Sequence, residues 1–166
     1  MFRSPVKAAA SGRGGFRAGR VSMNKAKESV SCFKEGFSCS QAVFSTYAVD
    51  MGLNREIALK ISQAFGGGMG HMGETCGAVT GAFMVIGLKY GRTRSDDDEA
   101  KVKTYSLVKE FTEKFKARNG TIICRELLGC DIGTPEGEII AKEKKLFSTV
   151  CPGFVQDAVE ILEEIL

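Results

Sequence analysis

Apolar residues recur along most of this chain at helical spacing. Ala26, Val30, Phe33 and Phe37 stand three or four positions apart, with Lys27, Glu28 and Lys34 elsewhere, which predicts an amphipathic helix from Met23 to Gly36. Ser38 can cap a second helix running from Cys39 to about Met51. That segment is apolar almost all round, so an interior position is expected. Gly52 stops it, and Asn54 caps a third helix through Ile57, Ala58, Ile61 and Phe65. After the glycine-rich stretch GGGMGHMGE, Gly66 to Glu74, Thr75 opens a helix that carries no charge until Lys89. No face of it suits water, which marks it as the central element.

The polar connection RTRSDDDEA follows, with Ser95 as the expected cap and Asp96, Asp97 and Asp98 in a first helical turn, where the dipole favours anions. That helix runs through Val102, Tyr105, Val108, Phe111 and Phe115 to the stop signal Asn119-Gly120. A short helix is expected from Thr121 to near Gly129, and another from Pro135 to about Val150. The last opens at Cys151-Pro152 and carries Phe154, Ala158, Ile161, Leu162 and Ile165 on one face. Nothing alternates with period two and no repeat recurs. The expected fold is all-α: an irregular single-domain bundle of about seven helices, with a glycine-rich loop before the central one.

Composition adds little to this, but charge divides the chain. Five of the 23 Lys and Arg fall in residues 1–22, which contain no acid; the remainder holds 18 basic and 20 acidic residues. Residues 1–22 read as a disordered basic leader or an added extension, and 23–166 as the helical domain. A slightly acidic body gives no reason to expect nucleic acid, and no apolar stretch reaches the roughly 20 residues that span a bilayer. The leader lacks an apolar secretion core, so a cytoplasmic location is expected, with organelle import through the leader as the alternative.

Six cysteines in such a chain should be mostly reduced thiols. Four of them, Cys39, Cys76, Cys124 and Cys151, fall at predicted helix starts, where unpaired N–H groups and the positive dipole end favour a thiolate. They are the candidate metal ligands or redox thiols. Cys32 lies roughly 120° from the apolar stripe of its helix and reads as a surface or side thiol, while Cys130 follows a helix end; both are left out of the site. GMGHMG matches a dinucleotide-binding pattern, but the strand that pattern requires is missing. Gly66, Gly67, Gly68, Gly70, Gly73 and Gly77 instead mark backbone able to approach a bound group beside Cys76. His71, the single histidine, reads as a polar loop residue, and Gly77 with Gly81 as a helix-packing pair.

At these residues the chain resembles the redox-active protein family described by the cysteine pattern C…GCAxxG…C…C. The segments that carry the resemblance are GFSCSQAVF around Cys39, GGGMGHMGETCGAVTGAFMVIGLKYG around Cys76, CRELLGCDIGTPEG from Cys124 and CPGFVQDAVEILEEIL from Cys151. One departure is visible, since the chain reads C-G-A-V-T-G from Cys76. The resemblance implies a redox role with an iron–sulfur cluster or similar prosthetic group. Three functions are thus in view. Four thiolates can hold an iron–sulfur cluster for electron transfer with a redox partner protein, although the intervals lack C-x₂-C runs. They can instead cycle between dithiol and disulfide without any cofactor. A zinc-stabilised structural or interaction protein is the third.

Overall fold

A computed structural model describes residues 22–166, so almost all of the expected leader lies outside the described residues. The architecture is all-α. Ten helical segments follow one another: α1 Ser22–Lys34, α2 Cys39–Asp50, α3 Arg55–Gln63, α4 Gly66–Met69, α5 Gly77–Tyr90, α6 Asp98–Asn119, α7 Cys124–Leu128, α8 Pro135–Glu143, α9 Leu146–Thr149 and α10 Cys151–Ile165. Seven of these have nine or more residues, which matches the expected number. Among the described residues the one β-type pairing is an isolated antiparallel bridge, Thr75 to Ile123. None of the described helices is long and apolar enough to cross a membrane.

Helices α2 and α5 cross at the centre. α2 starts at a capping box: Ser38 Oγ accepts from the Gln41 amide, and Gln41 Oε1 accepts from the Ser38 amide at 2.9 Å. Every residue from Cys39 to Ala48 is then buried. The crossing is close because α5 lacks side chains where it meets α2. A Cβ on Gly81 would stand 2.9 Å from the Ser40 carbonyl oxygen, and one on Gly77 would stand 3.0 Å from the Ser40 amide nitrogen. α10 lies against α1, α2, α5 and α6. Its polar edge is tied down by Tyr47, which donates to Glu163 Oε1 at 2.5 Å, and by Arg118, which reaches Glu160 and Glu164. Phe111 and Phe115 of α6 are fully buried, and their rings stack.

Several expectations need correction. Cys32 is buried, at 6% exposure, with its Sγ 3.9 Å from Ser45 Oγ. α1 is covered by both α2 and α10, so its buried face includes Lys25, Ser29 and Cys32, one helical row that the apolar stripe does not reveal. Lys25 is satisfied there by donating to the Thr46 carbonyl at 2.8 Å and pairing with Asp50 at 2.6 Å. Asp97, not Ser95, caps α6 by accepting from the Ala100 amide. The first turns of α6 leave Val102 and Tyr105 exposed, at 67% and 59%. The helix expected from Pro135 to Val150 is broken at Lys145, whose φ of +54° is left-handed, and so becomes α8 and α9.

Candidate functional site

Four helix starts meet at one cavity. Cys39, Cys124 and Cys151 are the first residues of α2, α7 and α10, and Cys76 is itself the N-cap of α5. Thr75, the expected cap, is instead engaged in the bridge to Ile123. All four cysteines are buried and unpaired by disulfides. Together they line a cavity of about 220 Å³ whose other walls are mainly apolar: Phe33, Leu127, Leu128, Ile132, Phe147 and Phe154. Ser38, Gly67, His71 and Gly77 complete the lining. Among the described residues, no three Cys, His, Asp or Glu side chains come together closely enough to hold a single metal ion.

Backbone hydrogen bonds fix two of the sulfurs relative to each other. The Cys76 amide donates to the Ile122 carbonyl at 2.8 Å, and the Cys124 amide donates to the Glu74 carbonyl at 2.6 Å. The Arg125 amide adds a bond to the Gly73 carbonyl at 2.9 Å, and its guanidinium grips Glu74 at 2.8 and 3.2 Å. Residues 73–76 and 122–125 thus form a short antiparallel clamp with one cysteine on each side.

The glycine segment under this clamp is a tight left-handed turn. Gly67, Gly68, Met69, Gly70 and His71 all have φ between +60° and +69°. For Met69 and His71 this conformation costs about 1–2 kcal/mol each, and the glycines adopt it freely. It follows α3 rather than a strand, so the dinucleotide pattern has no structural counterpart. Of the six glycines singled out from the sequence, Gly67 and Gly77 line the cavity. Gly66 lies against Ser38, Gly68 against Cys124 and Gly73 against Asp131, each so closely that an added Cβ would stand within 3.0 Å of its neighbour. Gly70 has only ordinary contacts.

Burial overturns the expectation that helix starts hold all four thiols as thiolates. Cys76 is pushed up to about 11 by desolvation, even though the nearby Ala78 and Val79 amides act to lower it. Cys124 is pushed up to about 12, again by desolvation first and then by the neighbouring Cys76 and Cys151. Cys39 and Cys151 perturb each other: the interaction with Cys151 holds the Cys39 thiol well above its ordinary value, with burial adding to the rise, and the same interaction draws Cys151 below it.

Of the two cysteines left out of the site, Cys32 lies outside the lining and its thiol is raised by burial. Cys130 is half-buried and also outside the lining, near enough to add to the rise at Cys124. His71, read from the sequence as a polar loop residue, lies in the lining. Its Nε2 lies 2.8 Å from Glu138 Oε2, and its ring centroid is 6.3 Å from that of Phe147. A single histidine after a glycine run gives no hint of a partner 67 residues further on.

No curated protein and no solved structure matches the chain. One family model does, over residues 37–165, a span that takes in α2 to α10 and all four cavity cysteines. Its description is "Putative redox-active protein (C_GCAxxG_C_C)", and this chain belongs to that redox-active family.

Proposed function

We propose that Cys39, Cys76, Cys124 and Cys151 hold an iron–sulfur cluster and that the chain passes electrons to and from a redox partner protein. One observation carries this reading: four thiols surround an apolar space, yet no three are spaced for a single ion. A zinc site would need its sulfurs at about 2.3 Å from one point. A cavity of about 220 Å³ suits a group larger than an ion. Soft thiolate donors suit iron–sulfur clusters, and four is their usual number. Such a cluster, when bound, accepts and releases electrons.

The protein's own contribution is positional and electrostatic. Phe33, Phe147 and Phe154 keep water from the sulfurs, and the amides of Ala78 and Val79 stabilise negative charge on Cys76. A reducing cytoplasm is the setting we assign, because it keeps the thiols available. The test is anaerobic purification followed by a visible spectrum and assays of iron and acid-labile sulfide. Iron matched by sulfide, with broad charge-transfer absorption lost in Cys39→Ser, Cys76→Ser, Cys124→Ser and Cys151→Ser, is the expected result. Iron-free, colourless protein refutes the reading.

The Cys39–Cys151 pair favours a second reading, metal-free thiol–disulfide exchange. There, the lowered thiol of Cys151 attacks a disulfide substrate as thiolate and Cys39 then displaces the second sulfur. The substrate leaves as a dithiol, and the protein retains a Cys39–Cys151 disulfide. A free-thiol count that falls by two on mild oxidation of colourless protein, and does not fall in Cys151→Ser, selects this alternative.

A further inference from the structure

The chain leaves the wall of the cysteine cavity at Ile132 and returns to it at Cys151, both buried and both part of the lining. Between these fixed ends lie α8 and α9, which are attached far more loosely than the longer helices. α9 has no buried residue, and α8 buries only Gly137 and Ala141. At their junction Lys145 has a φ of +54°, a left-handed conformation that lysine rarely adopts. Few buried contacts and an irregular backbone mark a segment that opens ahead of the rest of a fold.

This segment also covers the cavity. Phe147 of α9 forms part of its wall, with its ring centroid 6.3 Å from that of His71, which lines the cavity from the glycine turn. Glu138 of α8 reaches the same histidine, Oε2 to Nε2, at 2.8 Å. Among the described residues, that is the one hydrogen bond or ion pair joining α8 or α9 to any residue outside 131–150. The other carboxylate oxygen pairs within the helix, with Lys142 at 2.9 Å. The four cavity cysteines are at most 9% exposed, so a reagent or a bound group reaches their sulfurs only through an opening of the fold.

We propose that residues 133–150 are a lid over the cysteine cavity, latched by the His71–Glu138 hydrogen bond, and that its opening is the route by which the group held there enters and leaves. His71 and Glu138 are positioning residues in this scheme, and neither has to touch sulfur or metal. The lid serves a cluster and a disulfide substrate alike, so it does not rest on the iron–sulfur reading.

Timed alkylation of the full, reduced, metal-free chain with a maleimide, read cysteine by cysteine by mass spectrometry, tests the lid. Where the segment closes faster than the reagent reacts, labelling rates follow the population of the open form. Glu138→Leu removes the latch and should speed labelling of Cys39, Cys76, Cys124 and Cys151 by roughly 2- to 10-fold, the factor by which one lost hydrogen bond shifts an equilibrium. His71→Gly cuts the same bond from the other side, accepts the φ of +68° and should have the same effect. Glu138→Gln can accept from or donate to Nε2, and Lys142→Ala removes only the pair within α8; both should label like the wild type. Cys32, buried outside the cavity lining, is the internal reference and should be unchanged in every variant. Three results overturn the lid: wild-type labelling of the cavity cysteines in Glu138→Leu and His71→Gly, an equal acceleration in Lys142→Ala, or a rise at Cys32 by the same factor. None of these touches the reading of what the cavity holds.

Discussion

Gly68 is the position where a single added carbon would disturb the cysteine site most directly. Its φ is +69°, and a Cβ would stand 2.7 Å from Cys124 Cβ, 2.6 Å from the Glu74 amide nitrogen and 2.8 Å from the Gly73 carbonyl carbon. None of these neighbours can turn away by changing rotamer, since all are backbone atoms or a Cβ. To restore ordinary contact at 3.4 Å, Cys124 would have to move by roughly 0.7 Å. Gly129 is the natural control: its φ is +67°, nearly the same, and nothing lies within 4 Å of its Cβ position. Alanine at either site bears a left-handed penalty of about 1–2 kcal/mol. Only Gly68→Ala adds overpacking, typically about 1–3 kcal/mol.

Gly68→Ala should therefore lose about 2–5 kcal/mol of stability and Gly129→Ala about 1–2 kcal/mol. A domain of ordinary stability, about 5–15 kcal/mol, survives the milder of these losses in full and generally the larger one. Urea unfolding of the reduced, metal-free proteins measures the difference, and alkylation of Cys124 followed by mass spectrometry measures the displacement. Cys124 should react faster in Gly68→Ala and unchanged in Gly129→Ala. Equal stability losses with equal Cys124 reactivity would refute the claim that Gly68 is glycine because Cys124 lies on it.

Alkylation at neutral pH should modify Cys151 first among the four cavity thiols, because its value alone is lowered; earlier labelling of Cys76 or Cys124 in a timed mass-spectrometric series contradicts this. Stability of the metal-free protein should fall as pH rises from about 9 towards 12, because native Cys76 and Cys124, raised to about 11 and about 12, keep protons that the unfolded chain releases near 9. The slope is roughly 1.4 kcal/mol per pH unit for each thiol, and urea midpoints of wild type and Cys76→Ala across that range should differ by one such slope. Cys32→Ser should cost about 1 kcal/mol through burial of a hydroxyl, yet leave iron and sulfide content unchanged; loss of the bound group would place Cys32 in the site after all.

The helices were legible wherever local signals and tertiary packing agree. Ser38 and Asn54 cap the helices they precede, and Pro135 opens α8. Where the two diverge, the pattern misleads. α1 buries Ser29 and also Lys25, whose partners Thr46 and Asp50 belong to α2, so its apolar stripe underestimates its covered face. Lys145 breaks a helix with a conformation that its residue type does not announce. The four site cysteines could be recognised because helix starts leave a local signature. His71 could not, because its meaning depends on Glu138 and on a left-handed turn that no periodicity encodes.

The corrected thiol chemistry gives the helix starts a different purpose from the one their dipoles suggest. A helix N-terminus contributes about 0.3–1 kcal/mol, and about 2 in buried geometry. Full burial of an ionised group can shift its pKa by about 3–5 units, or roughly 4–7 kcal/mol. Burial should win, and at Cys76 it does: the nearby Ala78 and Val79 amides act to lower the thiol and it is still raised. α7, with five residues, has even less dipole to offer Cys124, which is raised further. Cys151 departs from this through its interaction with Cys39, which is pair chemistry rather than dipole chemistry. The helix starts therefore act chiefly as geometry. They are the points where four separate stretches of chain can turn into the interior together and bring their sulfurs to one wall. On the proposed iron–sulfur reading, thiols held neutral there become thiolates as cationic iron supplies the compensating charge, with release of their protons.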